Sequence, residues 1–272
     1  MPAPDAADLA LVADAVREAG AVALEMAAEG VARWEKSPGN PVTAADLAID
    51  QLLAKRLRSA RPDYGWLSEE SRDDGSRLVA RRSFLVDPID GTRDYARGRS
   101  GYAVSVAIVE DGEVRVGALF APARGQLFLA VRGGGAVLND EPLRVSSARG
   151  LAGARLSVDA STLSSRLWQD PWAVEIVDKP NAIALRIGMV ASGAADCTFD
   201  GRPARDIDIA AAALILEEAG GRITDHTGQR PMFNSLVPRS RSLVAATPGV
   251  HEEMRARLAD ALARYEAQGR RR

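Results

Sequence analysis

Residues 84–95 read FLVDPIDGTRDY, and this stretch decides how the rest of the chain is interpreted. Its apolar beginning predicts a buried strand that ends at Asp87. Pro88 predicts a turn at that point, and Asp90 follows so closely that the two carboxylates can converge on one side of the turn. The stretch therefore predicts two acidic side chains at the end of a strand.

These two carboxylates suit a magnesium ion. Mg²⁺ prefers oxygen ligands and is usually held by one or two carboxylates together with phosphate oxygens and waters. Gly91 and Thr92 would open a short helix after Asp90, and free N–H groups at a helix start can receive a phosphate. Taken alone, the residues fit an ordinary Asx turn with Thr92 as a helix cap equally well, so both interpretations are open at this point.

The composition excludes several classes of protein. The chain has 272 residues, a formal net charge of −2 and 46% hydrophobic residues, as ordinary globular proteins do. One cysteine, Cys197, and two histidines, His226 and His251, argue against disulfides, zinc clusters and a Ser/His/Asp triad. No apolar run is long enough to span a membrane, and Asp5 and Asp8 near the start do not fit a secretory signal, so we expect a cytoplasmic protein. The nearly balanced charge predicts no nucleic-acid polymer as a partner.

Apolar periodicity predicts helices interleaved with antiparallel strands. Helices are predicted over residues 8–28, from about 44, near 181–192, over 208–219 and over 248–268. Strands are predicted over 103–109 and 114–120, joined by the turn Asp111-Gly112, and over 154–158, 196–199, 222–224 and 242–246. This pattern predicts the α/β (α+β) class, with helices layered on large mixed, mostly antiparallel sheets. We expect two halves of one compact unit, residues 1–150 and 151–272.

Two further acidic residues favour the metal interpretation. Glu69 follows the apolar stretch 64–67 and so lies at another predicted strand end. Asp208 begins the predicted helix after the loop 201–205, where a carboxylate suits the positive end of the helix dipole. Each alone has an ordinary explanation, since Glu69 could be a solvated loop residue and Asp208 a helix cap.

Four motifs, in this order along the chain, resemble those of the inositol monophosphatase superfamily, the lithium-sensitive, magnesium-dependent phosphatases. They are residues 41–46 (PVTAAD), 68–71 (SEES), 87–92 (DPIDGT), and 208–211 (DIAA) continuing to 218–221 (EAGG). The resemblance runs from the first helix to about Pro248. It implies a layered α-β-α-β-α fold, like that of fructose-1,6-bisphosphatase, and a homodimer.

The resemblance also implies a set of metal ligands. Glu69, Asp87 and the backbone carbonyl of Ile89 would hold a first Mg²⁺. Asp87, Asp90 and Asp208 would hold a second, and Glu69 would help with a third, so two or three ions are expected per active site. Two metals at roughly 3.5–4 Å can activate a water and neutralise charge on phosphate oxygens, so no histidine or covalent nucleophile is needed.

Catalytic and phosphate-binding roles follow from the same resemblance. Thr92, oriented by Asp46, would help to activate the water that attacks phosphorus, together with Glu69. The amides of Gly91 and Thr92 would grip the phosphate. These residues therefore complete a predicted site for hydrolysis of a small phosphorylated substrate.

The residues after the aspartate motif depart from the inositol phosphatase pattern. That branch commonly continues with Thr-Asn-Phe, whereas this chain has Arg93-Asp94-Tyr95. The latter looks more like the Lys-Glu-Phe of the 3′(2′),5′-bisphosphate nucleotidase branch. Arg93 would then meet a second phosphate, since guanidinium binds phosphate in a bidentate manner. The alternative is an exposed surface ion pair of Arg93.

Substrate-side positions depart from that pattern too. The acidic residue that grips inositol hydroxyls in the family corresponds to Asp200, one methylene shorter than the usual Glu, and the usual tryptophan is Ile207. The polyol-facing Gly-Ser/Thr-Ala-Ala segment is replaced by residues 181–184 (NAIA). Arg202 and Arg205 lie near the expected pocket mouth, where they would bind a second phosphate or simply face water.

The sequence thus predicts a Mg²⁺-dependent phosphomonoester hydrolase that uses metal-activated water. Its leading substrate is 3′-phosphoadenosine 5′-phosphate, ahead of inositol monophosphate, with histidinol phosphate or a sugar bisphosphate as further alternatives. A regulatory role through a partner surface is the alternative of another class, because some bacterial members of the superfamily contact the transcription machinery. The acidic cluster argues against a purely binding role, since binding a protein does not require it.

Overall fold

The computed structural model describes residues 3–30, 33–37, 40–164 and 166–269. The helices in this part of the chain are α1 (Ala3–Glu29), α2 (Ala44–Ala60), α3 (Thr92–Tyr95), α4 (Ala160–Leu163), α5 (Ile183–Ala191), α6 (Asp206–Glu218) and α7 (Pro248–Gly269). The strands are β1 (Arg33–Ser37), β2 (Asn40–Thr43), β3 (Gly65–Ser68), β4 (Arg82–Asp90), β5 (Ala103–Glu110), β6 (Glu113–Ala121), β7 (Gln126–Val131), β8 (Gly135–Leu138), β9 (Glu141–Pro142), β10 (Arg155–Leu156), β11 (Glu175–Ile176), β12 (Cys197–Asp200), β13 (Arg222–Thr224) and β14 (Leu243–Ala246). Short 3₁₀ turns cover Ser76–Leu78 and Pro122–Arg124.

The described strands form two large sheets and one small one. The first large sheet has seven strands in the order β3-β4-β5-β6-β7-β8-β9, where β3 and β4 are parallel and all other neighbours are antiparallel. The second has five strands in the order β11-β10-β12-β14-β13, with parallel and antiparallel pairs. Strands β1 and β2 pair separately. These mixed, mostly antiparallel sheets confirm the predicted fold class.

Apolar cores on both sides of each large sheet show how the elements are layered. In the seven-stranded sheet, Phe84 and Val86 pack toward α1 and α2, whereas Leu85 between them packs toward α5 and α6. This alternation follows the two-residue period of a strand. In the five-stranded sheet, Ala245 of β14 joins the core of α5 and α6, and Val244 joins the core of α7. The layers run helix, sheet, helix, sheet, helix, as predicted.

Helix α6 lies directly against the seven-stranded sheet because Gly117 of β6 has no side chain. A Cβ atom on Gly117 would be 2.8 Å from the carbonyl oxygen of Ala211 and 3.1 Å from its Cα. Those separations are too short for a real methyl group, so the backbone of α6 can approach the sheet only at a glycine. This contact helps to set the position of the first turn of α6, which contains Asp208.

Local sequence signals were right in type and less accurate at element ends. The predicted hairpin is confirmed: Asp111 and Gly112 have φ of 53° and 80°, as a tight two-residue turn between antiparallel strands requires. The predicted strand over 154–158 shortens to β10, and the helix predicted to begin at Asp208 begins at Asp206. The earlier start has a tertiary cause, since Asp206 donates its N–H to the carbonyl of Pro238.

The division into halves stays a prediction. The strands of the seven-stranded sheet end at residue 142 and those of the five-stranded sheet begin at residue 155, while α6 packs on both sheets. The outermost residues of the predicted ranges, 1–2 and 270–272, lie outside the described residues. Within the described residues, no helix combines the length and the apolar character needed to cross a bilayer.

Candidate active site

A pocket of about 210 Å³ opens at the end of β4. All predicted site residues except Asp46 and Asp200 line it, and one further residue, Asn181, joins them. We call it the acidic pocket; its lining residues are Glu69, Asp87, Ile89, Asp90, Gly91, Thr92, Arg93, Asn181, Arg205 and Asp208.

Parallel pairing of β3 and β4 brings Glu69 beside Asp87. The register aligns Ser68 with Val86, and the Glu69 N–H donates to the Val86 carbonyl at 3.3 Å. Glu69 therefore follows the end of β3, as predicted, whereas the strand end predicted at Asp87 is wrong, because β4 continues to Asp90.

The segment that carries Glu69 is tied to helix α2 by Asp50. The hydroxyl groups of Ser68 and Ser71 both donate to the Asp50 carboxylate, the second at 2.6 Å. Asp50 is buried and lies at least 18 residues away in sequence. No sequence pattern singled it out, because its contact with the segment forms only when α2 packs beside β3.

An irregularity in β4 places Asp87 and Asp90 together. Asp87 pairs with Ser105 and Asp90 with Ala103, so β4 has one residue more than β5 between these pairs. Pro88 has no N–H to offer the ladder, which favours such a bulge. Asp87 Oδ1 accepts the N–H of Ile89 at 3.1 Å, which holds the turn closed.

Asp90 also serves as the cap of helix α5. Its Oδ2 accepts the N–H of Ala184 at 2.7 Å, whereas Ala182 at the N-cap position has no side chain able to do so. One carboxylate oxygen of Asp90 is therefore committed to the helix start, where negative charge is favourable. The cap was missed because Asp90 and Ala184 are 94 residues apart.

The clustered carboxylates raise each other's pKa values. Burial raises the pKa of Asp90 to about 8 and that of Asp208 to about 7, with the charge of Asp208 adding to the first and that of Glu69 to the second. The pKa of Asp87 is raised by burial and then by the charges of Glu69, Asp90 and Asp208. Buried like charges cost free energy, and a bound cation would relieve that cost.

Arg205 supplies a positive charge inside the same pocket. Its Nη1 donates to Glu69 Oε1 at 2.7 Å, so the predicted phosphate-binding guanidinium pairs with a predicted metal ligand. Burial lowers the pKa of Arg205, but the charges of Glu69, Asp208 and Asp87 outweigh burial and raise it overall. The side chain is half exposed and so can leave this pair at modest cost.

Thr92 and Asp46 meet as predicted. Thr92 Oγ1 lies 3.1 Å from Asp46 Oδ1 and 3.0 Å from the Ile89 carbonyl oxygen. The other oxygen of Asp46 accepts from the N–H and hydroxyl of Thr43 in the capping box of α2. The helix start therefore orients Asp46 toward Thr92. Burial raises the pKa of Asp46, although its hydrogen bonds with Thr43 and Thr92 oppose the rise.

Arg93 and Asp200 differ in their placement. Arg93 is exposed and lines the acidic pocket. Asp200 is outside that lining, and its carboxylate accepts three bonds from Arg202, from N at 2.9 Å, Nε at 3.1 Å and Nη2 at 2.8 Å. The Asp200 carboxylate is thus paired with an exposed cation, since the Arg202 side chain is 84% exposed.

The donor chemistry of the acidic pocket fits Mg²⁺. Glu69, Asp87, Asp90, Asp208 and the Ile89 carbonyl offer oxygen atoms only, the ligands that this ion prefers. Among the residues that the structure describes, no group of three or more acidic, histidine or cysteine side chains is arranged to hold a metal ion as these side chains stand. Glu69 faces Arg205, and one oxygen of Asp90 faces α5.

Comparison with known proteins agrees with this fold. Residues 6–264 match the model of the inositol monophosphatase family. The chain is 35% identical over 205 residues to an inositol-1-monophosphatase of Rhizobium meliloti, covering 71% of this chain and 75% of that protein. It is 34% identical over 220 residues to the Nus factor SuhB of Xylella fastidiosa, covering 78% of each.

A solved structure of a related protein has the same fold. The extragenic suppressor protein suhB of Bartonella henselae superposes with a TM-score of 0.79 at 28% identity, covering 94% of this chain and 98% of that one. The fold and the matches together define a phosphomonoester hydrolase. The chain belongs to the inositol monophosphatase family.

Proposed function

We propose that the protein hydrolyses a small phosphomonoester in a Mg²⁺-dependent reaction at the acidic pocket. The observation that carries this proposal is the gathering of Glu69, Asp87, Asp90 and Asp208 beside the Thr92–Asp46 pair. These residues come from three separate stretches of the chain, and a structural role alone does not require so much buried negative charge in one place.

In this proposal Glu69, Asp87 and the Ile89 carbonyl hold one Mg²⁺, and Asp87, Asp90 and Asp208 hold a second, with Glu69 available to a third. The bound ions would supply Lewis acidity, which lowers the pKa of water and neutralises phosphate charge. Asp90 Oδ2 accepts the Ala184 N–H, so Oδ1 is the oxygen that we propose for this role.

Thr92 and Asp46 position the attacking water and take up its proton. A hydroxyl group has one proton, and Thr92 donates it to Asp46 or to the Ile89 carbonyl. The Thr92 oxygen is then an acceptor for a hydrogen bond from water. Asp46 Oδ1 can receive the proton that passes through Thr92, and burial favours its protonated form by raising its pKa.

Gly91 and Thr92 form the phosphate side of the proposed site through their amides. Gly91 has φ of 92°, and a Cβ atom there would be 2.7 Å from the Gly101 carbonyl oxygen and 2.9 Å from the Ala182 nitrogen. Only glycine fits this conformation in this space. The backbone can therefore lie close to the substrate phosphate.

Phosphate release by the purified protein tests the proposal. We expect turnover to require Mg²⁺. In Asp87→Asn the rate should fall at least about 100-fold, which corresponds to a rise of about 2.7 kcal/mol in the activation free energy. Asp63→Asn, at an exposed position outside the acidic pocket, is the matched control and should keep full activity. Near-native turnover in Asp87→Asn, or turnover unaffected by a chelator, would disprove the proposal.

For the substrate, we propose 3′-phosphoadenosine 5′-phosphate first and inositol monophosphate second. Arg93 in the pocket lining supports the nucleotide, since a guanidinium there can meet a second phosphate. Relatives named inositol-1-monophosphatase support the second candidate. Comparing kcat/KM on both, with histidinol phosphate and fructose 1,6-bisphosphate alongside, decides the order.

A partner-binding role is the proposal of another class. It is supported by relatives named Nus factor SuhB. A cellular effect that survives Asp87→Asn would favour this role, and loss of the effect would favour catalysis. The homodimer and the cytoplasmic location remain predictions, of which light scattering tests the first and cell fractionation the second.

A further inference from the structure

A second polar cavity, of about 450 Å³, adjoins the acidic pocket. We call it the basic cavity, because four cationic side chains line it: Arg97, Arg99, Arg124 and Lys179. None of these residues belongs to the family motifs or to the predicted site.

The two spaces share a wall that is built from the catalytic segment itself. Asn181 lines both, and Arg93 in the acidic pocket is followed directly by Asp94 in the basic cavity. Asp94 Oδ2 accepts the Asn181 N–H at 3.0 Å, and the Gly101 carbonyl accepts the Ala182 N–H at 2.9 Å. The two spaces therefore meet at Asn181.

The charges of the basic cavity do not balance. Its acidic residues, three in number, each pair with one cation: Asp94 with Arg99 at 3.7 Å, Asp178 with Arg124 at 2.8 Å and Asp159 with Lys179 at 2.9 Å. Arg97 is exposed and forms no ion pair with any residue in the described part of the chain. The lining thus carries one positive charge in excess.

In two of these three ion pairs the cation lies deeper than the acid, whereas in the third Arg99 is 64% exposed and Asp94 is 13% exposed. The side chains of Arg124 and Lys179 are 22% and 24% exposed, whereas those of Asp178 and Asp159 are 59% and 58% exposed. Arg124 is further held by its Nε, which donates to the Ser100 carbonyl at 2.9 Å. A guanidinium has five N–H donors, so this fixed side chain keeps donors for an anion.

We propose that the basic cavity binds a second anionic group, such as a phosphate, of the same small molecule whose first phosphate is hydrolysed in the acidic pocket. This inference rests on the proposed phosphomonoesterase function and makes bisphosphorylated compounds the preferred substrate class. Both a nucleotide and a sugar can carry two phosphates, and the cavity recognises the anion that they share.

Two substrate pairs that differ in one phosphate test the inference. The first pair is adenosine 3′,5′-bisphosphate and adenosine 3′-monophosphate; the second is fructose 1,6-bisphosphate and fructose 1-phosphate. In at least one pair we expect the bisphosphate to have the higher kcat/KM. In Arg97→Gln, and more strongly in Arg97→Gln/Arg124→Gln, the ratio of the two kcat/KM values should fall at least tenfold. The substrate pair whose ratio falls shows whether the site recognises a nucleotide or a sugar.

The matched control is Arg149→Gln, an exposed arginine that lines neither space, which removes the same charge and should leave the ratio unchanged. Equal kcat/KM within both pairs, or a preference that survives the double variant, would overturn the inference. If the double variant does not fold, Arg97→Gln alone decides, because Arg97 is exposed. Failure of the proposed function is distinct, since wild-type protein would then release no phosphate from any compound, inositol 1-phosphate included.

Discussion

Arg205 and Glu69 place opposite charges in contact inside a pocket that we propose binds Mg²⁺. The guanidinium is 2.7 Å from Glu69 and also lowers the pKa values of Asp87 and Asp208 relative to what burial and mutual repulsion impose. Arg205 therefore offsets part of the charge that a metal ion would offset. A cation at this position also competes with a metal for Glu69.

We predict that Arg205→Gln binds divalent metal more tightly. A half-exposed ion pair contributes ~0.5–1 kcal/mol, so the dissociation constant for Mn²⁺ should fall about two- to fivefold. Calorimetric titration measures it, with the exposed Arg241→Gln as the control of equal charge. Weaker Mn²⁺ binding in Arg205→Gln would mean that the arginine supports the metal site instead.

Thr92 offers a sharper test of catalysis than the acidic residues, because its hydroxyl has no proposed ligand role. Thr92→Val keeps the shape of the side chain and removes the oxygen that contacts Asp46. General acid–base groups typically contribute about 10²–10⁴-fold, so kcat should fall by that order with little change in KM. Steady-state kinetics measures both, and Thr92→Ser should restore most of the activity. Similar kcat values for Val and Thr at this position would refute the proposed proton transfer.

At the scale of elements, the acidic pocket depends on how closely α5 and α6 approach the seven-stranded sheet. Asp90 caps α5, and α6 packs on the sheet at Gly117, so two helices are fixed by residues of strands. The loop that carries Glu69 is fixed by α2 in the same manner. The pocket is thus assembled by contacts between elements, and its precision follows from their packing.

Gly117→Ala tests that packing. The added methyl group would meet the Ala211 backbone at 2.8 Å, and overpacking of this kind costs typically 1–3 kcal/mol. Urea unfolding should show the loss in the free energy of unfolding, and activity should fall because α6 carries Asp208. Gly150→Ala is the matched control, since the nearest atom to its new Cβ is 3.9 Å away. Equal stability of the two variants would contradict the close approach of α6.

At the scale of the whole molecule, Asp196 ties the segment between the two large sheets to the second sheet. Its carboxylate accepts from the Ser146 hydroxyl at 2.6 Å and from Arg155 through N at 2.7 Å and Nη2 at 2.8 Å. Burial alone would raise the pKa of Asp196, but the bonds from Arg155 and Ser146 outweigh burial and lower it. The charged form is therefore the one that the fold stabilises.

The lowered pKa of Asp196 determines how folding stability depends on pH. A folded pKa below the unfolded value near 3.9 contributes stability that is present above pH 4 and is lost as pH falls through the folded pKa. Asp196→Asn should lower the free energy of unfolding at pH 7 by about 1–2 kcal/mol. Below pH 4 the wild type and the variant should differ less in their free energy of unfolding. Denaturation at several pH values measures this, with Asp260→Asn on α7 as the exposed control. A constant difference down to pH 2 would contradict the low pKa.

Several features of this protein follow from the sequence by itself. The hairpin at Asp111-Gly112 and the α/β class were predicted correctly, because each depends on periodicity or turn chemistry within a few neighbouring residues. The buried strand through Asp87 was also predicted, but its end was wrong, since β4 continues to Asp90. The family was recognised for a related reason, since its motifs are short local strings whose order along the chain is readable directly.

Other features were decided only by the tertiary structure. The pairing of Arg205 with Glu69 joins residues 136 positions apart, and the cap of α5 by Asp90 joins residues 94 apart. The basic cavity likewise combines residues near 97–101, 124, 159 and 178–181. Hydrogen bonds and ion pairs act over a few ångströms in space, whatever the separation along the chain, so these partners become visible only when the helices have packed on the sheets.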